Sequence, residues 1–274
     1  MITVEEWEKH CARVTREMSQ YVQQFATPLS MSEEHGSGTA WGSGTYVAGP
    51  DATWVLTAEH VINSVPSGGR LAHLPRDGAD YNAAFGQPQM AAWPIDSAAL
   101  PIFPDESVLP PLERILPLSS IDGSYSTADE ELLFWYGFPG YSNLERNDPR
   151  LKDKLIKSHY NHLVVRGKPM ISQAIRQDLH VSASNFDPSF HVAVHYPVAA
   201  TRATDGQMIP LPNAAGMSGS ALWDTKFVAC ALEGKPWSPE LARVCGVVWA
   251  VFDNPDVVFA TKIEHVRKGL PGVF

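Results

Sequence analysis

The residue best placed to do chemistry in this chain is a serine between glycines, in the string GMSGSAL at residues 216–222. Gly216 and Gly219 allow a sharp turn and a close approach of the backbone to another group. A serine in such a turn can attack a carbonyl once a base removes its proton. Backbone N–H groups of the same turn can stabilise the charge that forms on the attacked oxygen. Ser218 is therefore the first candidate for a catalytic residue.

Two strings upstream supply the partners that an activated serine needs. His60 ends the string LTAEH at residues 56–60, and Asp96 begins the string DSAAL at residues 96–100. A histidine can accept and return a proton near neutral pH, and a carboxylate beside it fixes the tautomer of the ring. The small and apolar residues around Asp96 favour this aspartate as the carboxylate. Three other aspartates lie nearby in the sequence as alternatives: Asp77, Asp80 and Asp105.

The elements that must position these residues are short and β-like. Such runs occur at residues 39–47, 53–58, 132–136, 162–165, 190–196, 221–223, 227–232 and 245–251. The first two predict a hairpin, and many short strands separated by Gly and Pro are typical of a sandwich or a barrel pair. Residues 260–268 predict a short helix that ends before Gly269 and Pro271.

Before the strands, residues 3–25 predict an amphipathic helix. Its apolar residues recur in steps of three and four: Val4, Trp7, Cys11, Val14, Met18, Tyr21 and Phe25. Thr3 and Glu6 predict a capping box at its start. The apolar stripe packs either on the protein's own barrel or against a regulatory protein partner or a second copy. Residues 28–37 predict a polar linker.

In chain order the candidates run His60, Asp96, Ser218, and with the strings around them the chain resembles the trypsin-like (chymotrypsin-fold) serine peptidases. The disulfide-poor bacterial members are the most similar. The matching strings are WGSGTYV at 41–47, LTAEH at 56–60, DSAAL at 96–100, YGFP at 136–139 and GMSGS at 216–220. The resemblance implies a mainly β fold of two packed antiparallel six-stranded β-barrels with the site between them. It also implies that the N–H groups of Gly216 and Ser218 form an oxyanion hole.

The resemblance covers residues 36 to about 270 and suggests a domain organisation. The expected parts are an N-terminal helix and linker at 1–35, and a peptidase domain at 36–274 with an N-barrel at about 36–125, a C-barrel at about 130–260 and a C-terminal helix at about 260–269.

Two positions depart from the digestive members of the family. Those members carry an acid just before the nucleophile, where this chain has Met217, so we expect no activation through an ion pair with a new N-terminus. Pro212 stands six residues before Ser218, where an acid sets a preference for Arg or Lys. We therefore expect small or medium apolar side chains at the cleaved position. The pocket walls are expected from Leu211, Pro212, Asn213, Val248, Trp249, Ala250 and Val251.

Bulk properties argue against several other classes of protein. The 274 residues carry a net charge of -9, which disfavours general nucleic-acid binding. The sequence has no apolar run long enough to cross a membrane, and its start does not resemble a secretory signal. Its three cysteines are too few for a disulfide framework. We expect a cytoplasmic protein. His191 and His195 lie about 13 Å apart along one strand, too far to share an ion, so no metal or cofactor is expected.

The sequence thus predicts a regulated intracellular serine endopeptidase that acts on protein or peptide substrates through an acyl-enzyme. Two alternatives remain. One is a peptidase-fold binding or scaffold protein whose triad is intact but idle because the oxyanion hole has collapsed. The other is a serine esterase on the same fold.

Overall fold

Two six-stranded antiparallel sheets form the body of the protein. The computed structural model describes residues 3–32, 39–75, 82–83, 85–103, 109–139, 155–157, 163–165, 167–175, 185–197, 199–203, 205–211, 214–252 and 257–274. Both sheets are curled, and each carries part of the candidate site.

The first sheet has the strand order β4-β1-β2-β3-β6-β5. Its strands are β1 (Ala26–Ser32), β2 (Thr39–Ala48), β3 (Thr53–Thr57), β4 (Arg70–His73), β5 (Gln89–Ala91) and β6 (Ser97–Pro101). The predicted hairpin is confirmed, because β2 and β3 pair with Thr45 opposite Leu56. The short helix α2 (Glu59–Asn63) follows β3 and carries His60.

The linker predicted at residues 28–37 is wrong over residues 28–32, which belong to β1. This strand pairs with β2 on one side and with β4 on the other, where Leu29 lies opposite His73. Leu29 and Met31 are buried in the core of the first sheet. Leu29 and Met31 alternate with serines, a strand pattern too short to be decisive by itself, and pairing on both edges satisfies the backbone and makes these residues a strand. Residues 33–37 lie outside the described residues.

The second sheet has the strand order β10-β7-β14-β15-β16-β11. Its strands are β7 (Leu132–Gly137), β10 (Lys168–Gln173), β11 (His191–His195), β14 (Ala221–Asp224), β15 (Arg243–Phe252) and β16 (Val257–Lys262). Two small hairpins join β8 (Leu155–Lys157) to β9 (Leu163–Val165) and β12 (Ala199–Thr201) to β13 (Met208–Pro210).

In β7 the apolar residues are consecutive and do not alternate with polar ones, because both faces of the strand are buried. Leu132 and Phe134 point to a core shared with the N-terminal helix. Leu133 and Trp135 point the other way, into the interior of the second sheet. Successive side chains of a strand face opposite sides, so a strand covered on both faces is apolar throughout.

The N-terminal helix α1 (Val4–Val22) packs on the protein itself. The capping box is confirmed, because Glu6 N–H donates to Thr3 Oγ1 at 3.2 Å and Thr3 N–H donates to the Glu6 carboxylate at 2.7 Å. Val14 and Met18 are fully buried in the core that also contains Trp223 of the second sheet. From Trp7 to Phe25 the apolar stripe is therefore covered by the chain's own barrel, whereas Val4 at its start is exposed.

Residues 227–232 were expected as a strand, and that expectation is wrong: they form the helix α3 (Phe227–Leu232). The carboxylate of the buried Glu131 accepts the N–H groups of Val228 and Ala229, each at 3.0 Å. Lys226, at a φ of 58°, turns the chain just before the helix. The C-terminal helix α4 (Ile263–Gly269) is confirmed, beginning three residues later than expected.

Candidate active site

His60 and Asp96 form a bonded pair on the first sheet. Asp96 lies just before β6, and its carboxylate is 2.7 Å from His60 Nδ1 through one oxygen and 2.9 Å from the His60 backbone N–H through the other. A carboxylate accepts, so Nδ1 carries the proton and Nε2 is left as the basic nitrogen. The His60 side chain is 41 % exposed and that of Asp96 is 11 % exposed. This geometry holds a histidine in the tautomer that a general base needs.

Asp96 is thus the aspartate that bonds to the histidine. The three alternatives, Asp77, Asp80 and Asp105, lie outside the described residues. Asp96 has a φ of 42°, in the left-handed region that an aspartate tolerates better than most side chains.

The loop before Asp96 is held by the second sheet. His191 of β11 donates from Nε2 to the Pro94 carbonyl at 2.6 Å, while its Nδ1 accepts the Asp187 N–H at 3.0 Å. Thr261 of β16, which lies opposite His191 in the sheet, donates to the Ile95 carbonyl at 2.6 Å. Burial lowers the pKa of His191, which favours the neutral ring that this pair of hydrogen bonds requires. The two sheets are joined directly behind the carboxylate.

The loop that carries Ser218 is a turn that depends on its glycines. Met217 N–H donates to the Ala214 carbonyl at 2.9 Å, and Gly216 has a φ of 92°, which together define a type II turn with glycine at its third position. Gly219 has a φ of 91°. Among the described residues, neither the Gly216 N–H nor the Ser218 N–H has a hydrogen-bond partner. Two free donors on either side of Met217 are what an oxyanion hole requires.

Ser218 lies in the same region as His60, but its hydroxyl is hydrogen-bonded to a different residue. Gly42 lies between the two segments. A Cβ added to it would be 2.7 Å from Val61, which follows His60, and 3.5 Å from the Ser218 carbonyl. The Ser218 hydroxyl donates to the Trp249 carbonyl at 3.2 Å, and within the described residues it makes no hydrogen bond to His60.

Ser43, which in the sequence is only part of a strand motif, contacts the loop that carries Ser218 directly. The Ser43 N–H donates to the Ser218 carbonyl at 2.9 Å, and its hydroxyl donates to the Gly216 carbonyl at 2.7 Å. The sequence signal was its position between Gly42 and Gly44, since paired glycines in a strand often mark a close approach of another backbone.

The residues expected to line the pocket are distributed differently. Val248 is fully buried in the interior of the second sheet, and Trp249 is 6 % exposed with its ring against His191 and Phe259. The structure therefore places these two side chains in the core instead of on an open wall. Leu211 is half-buried beside the same core. Ala250 and Val251 are paired with β16 through their backbones, and Pro212 and Asn213 lie outside the described residues.

Met217, which precedes the candidate nucleophile, is fully buried among apolar side chains such as Trp135 and Leu222. An unpaired carboxylate in these surroundings would carry a high desolvation cost. The apolar side chain at this position is consistent with its environment.

Neither a metal cluster nor a membrane span is found in the described ranges. Within those ranges the His, Cys, Asp and Glu side chains do not gather in a group of three that could hold a metal ion. Similarly, the helices that the structure describes are too short or too polar to cross a membrane.

The two curled six-stranded antiparallel sheets with terminal helices define a chymotrypsin-like serine protease fold, as the resemblance implied. Solved structures of proteases share it. The crystal structure of the Rv3671c protease from M. tuberculosis in its active form matches with a TM-score of 0.51 and 17 % identity, over 96 % of this chain and 86 % of that one. The crystal structure of Deg5 matches with a TM-score of 0.51 and 16 % identity, over 97 % and 94 %. No protein-family model and no curated protein matches the sequence.

Proposed function

We propose that this protein is a serine endopeptidase in which Ser218 is the nucleophile, His60 the general base and Asp96 the residue that orients the histidine. The observation that carries the proposal is the His60–Asp96 pair, because it directs Nδ1 to the carboxylate and leaves Nε2 as the ring nitrogen that can face the serine, on a fold shared with solved serine proteases. The N–H groups of Gly216 and Ser218, which have no hydrogen-bond partner among the described residues, support the proposal further.

The proposed reaction follows from these groups. His60 Nε2 takes the proton of the Ser218 hydroxyl as the oxygen attacks the peptide carbonyl, and the carbonyl oxygen gains the electron pair. The N–H groups of Gly216 and Ser218 bind that oxyanion. The C–N bond then breaks, and His60 returns the proton to the leaving amine. Water attacks the acyl-enzyme by the same steps, which releases the acid and restores the serine.

For specificity and setting, we propose cleavage after small or medium apolar side chains, because Pro212 replaces the acid that basic side chains require. We also propose an intracellular, cytoplasmic enzyme whose activity is regulated. The three cysteines, Cys11, Cys230 and Cys245, are all free thiols, which supports a reducing compartment. A regulatory partner would have to use the outer face of α1 or displace the helix, since the apolar face is covered from Trp7 onward.

A fluorophosphonate probe tests the proposal without knowledge of the substrate. Wild type should be labelled at Ser218, while Ser218→Ala and His60→Ala should not be labelled. Labelling that persists in Ser218→Ala would contradict the assignment of the nucleophile. A peptide library would then test the specificity, and cleavage mainly after Arg or Lys would reject the apolar preference.

A second candidate function has one observation in its favour. The Ser218 hydroxyl donates to the Trp249 carbonyl rather than to His60, which is the resting state expected of an idle peptidase fold that binds peptides without turnover. Catalytic hydrogen bonds are often unformed until substrate is bound, so the endopeptidase is preferred. A folded wild type that binds peptide but resists the probe would favour the binding protein.

A further inference from the structure

We propose that Ser43 is a positioning residue that holds the oxyanion loop in its productive turn, an inference that rests on the proposed function. Ser43 lies on β2 of the first sheet and is fully buried. It does not touch the reacting atoms in the proposed mechanism. Its role is to hold the carbonyl of the Gly216–Met217 peptide. The orientation of that peptide determines the turn type and hence the direction of the Gly216 N–H.

The hydrogen bonds of Ser43 connect three separate segments. Its hydroxyl donates to the Gly216 carbonyl at 2.7 Å and accepts the Phe138 N–H at 2.9 Å. Its N–H donates to the Ser218 carbonyl at 2.9 Å, and its carbonyl accepts the hydroxyl of Thr57, three residues before His60, at 2.8 Å. One residue thus ties the nucleophile loop to the histidine segment and to the end of β7.

The contact with Gly216 matters because of the turn type. The peptide between Gly216 and Met217 is held at both ends, by Ser43 at its carbonyl and by Ala214 at its N–H. Type I and type II turns differ by a flip of the preceding peptide, which here carries the Gly216 N–H. With its carbonyl anchor removed, the turn can relax to type I, and the Gly216 N–H then points away from the oxyanion.

The Ser43 backbone also explains the second glycine of the motif. A Cβ on Gly219 would overlap the Ser43 carbonyl oxygen and the Thr57 hydroxyl. The nucleophile is therefore flanked by two glycines that both contact Ser43, one through its side chain and one through its backbone. The strand motif and the serine motif, far apart in sequence, are parts of one arrangement.

The test compares Ser43→Ala with Thr225→Val. Thr225 is the matched control, since it is equally buried and its hydroxyl also both donates and accepts, to the Glu131 carboxylate at 3.0 Å and from the Phe227 N–H at 3.3 Å, but neither partner belongs to the loop that carries Ser218. Saturation kinetics with a fluorophosphonate probe separate binding from the rate of covalent reaction. Thermal unfolding of each variant measures the loss of stability.

We expect Ser43→Ala to lower the maximal labelling rate about tenfold, which is less than the loss of about 100-fold or more that follows complete removal of an oxyanion donor. The half-saturating probe concentration should stay within about twofold, because ground-state binding does not use the oxyanion hole. Thr225→Val should label at the wild-type rate, whatever its loss of thermal stability. A wild-type rate in Ser43→Ala would overturn the inference, as would equal losses in both variants that follow their thermal stability.

Two further measurements keep the inference separate from folding and from the proposed function. If Ser43→Ala does not fold, Ser43→Cys retains a weak donor and should label at an intermediate rate, whereas a wild-type rate would refute the role. If wild type itself is not labelled, the proposed function fails. The Gly216 amide resonance then decides the positioning role alone, because it must shift in Ser43→Ala and not in Thr225→Val.

Discussion

Acidification should destabilise this protein in part through the buried His73, whose contribution a single substitution can isolate. His73 ends β4 and is fully buried. Its Nδ1 is 2.8 Å from the Tyr46 hydroxyl, while its Nε2 has no hydrogen-bond partner in the described part of the chain. Burial, together with the positive charge of Arg114, lowers the pKa of His73 from 6.5 to about 4. A proton on Nε2 would create a buried cation whose new N–H has no acceptor.

The size and sign of the effect follow from that pKa. Between pH 6.5 and about 4 the unfolded chain binds this proton and the folded protein does not, so the free energy of unfolding falls as the pH falls. One pKa unit is worth about 1.36 kcal/mol, so the full loss is about 3 kcal/mol, of which about 2 kcal/mol is reached by pH 5. Above pH 7.5 His73 contributes no pH dependence.

Urea denaturation of wild type and His73→Phe at pH 7.5, 6 and 5 measures this loss. Phenylalanine keeps a ring against Tyr46 and Phe85 but cannot titrate, and all other ionisable groups are common to both proteins. The difference in free energy of unfolding between the two proteins should shift by about 2 kcal/mol between pH 7.5 and 5 in favour of the variant. A difference that does not change with pH would refute the reasoning.

Three further predictions concern the site and the helix. Gly219→Ala places a Cβ against the Ser43 carbonyl oxygen, at a φ of 91°, so probe labelling should fall more than about 100-fold. The control is Gly234→Ala, at a φ of 67° with open space around it. This variant should label normally and lose only about 1 kcal/mol of unfolding free energy in urea denaturation. Asp96→Asn should slow labelling at neutral pH by about four powers of ten, because an amide also donates and favours the wrong tautomer; a wild-type rate would exclude a triad. Met18→Ala should cost about 2–5 kcal/mol in urea denaturation, and a loss below about 0.5 kcal/mol would show that α1 does not belong to the core.

Features that depend on neighbouring residues were predictable from the sequence. The capping box and the stripe of α1 are local, since they involve residues three and four apart. The hairpin of β2 and β3 is also local, because its strands are joined by a short turn. In each case the pattern itself contains the interaction that stabilises the element.

The errors occurred where a distant segment decided the structure. Residues 28–32 contain only two alternating apolar side chains, Leu29 and Met31, which is too short a pattern to distinguish a strand from a linker; pairing with β2 and β4 makes them a strand. Residues 227–232 are apolar enough for a strand, but Glu131, almost one hundred residues earlier, accepts the first N–H groups of a helix. Neither partner can be recognised from the segment alone.

The candidate site divides along the same line. The sequence by itself determined which residues could supply a nucleophile, a base and a carboxylate. The glycines around Ser218 indicate a sharp turn, and the strings around His60 and Asp96 indicate strand ends, and both are local properties of the backbone. Only the tertiary structure decided that Asp96 bonds to His60, that the Ser218 hydroxyl rests on the Trp249 carbonyl, and that Ser43 joins the loops. These contacts bridge dozens to more than one hundred residues. The His60–Asp96 and Ser218–Trp249 hydrogen bonds form only when distant strands of one sheet have paired, and the Ser43–Gly216 hydrogen bond forms only when the two sheets have packed together.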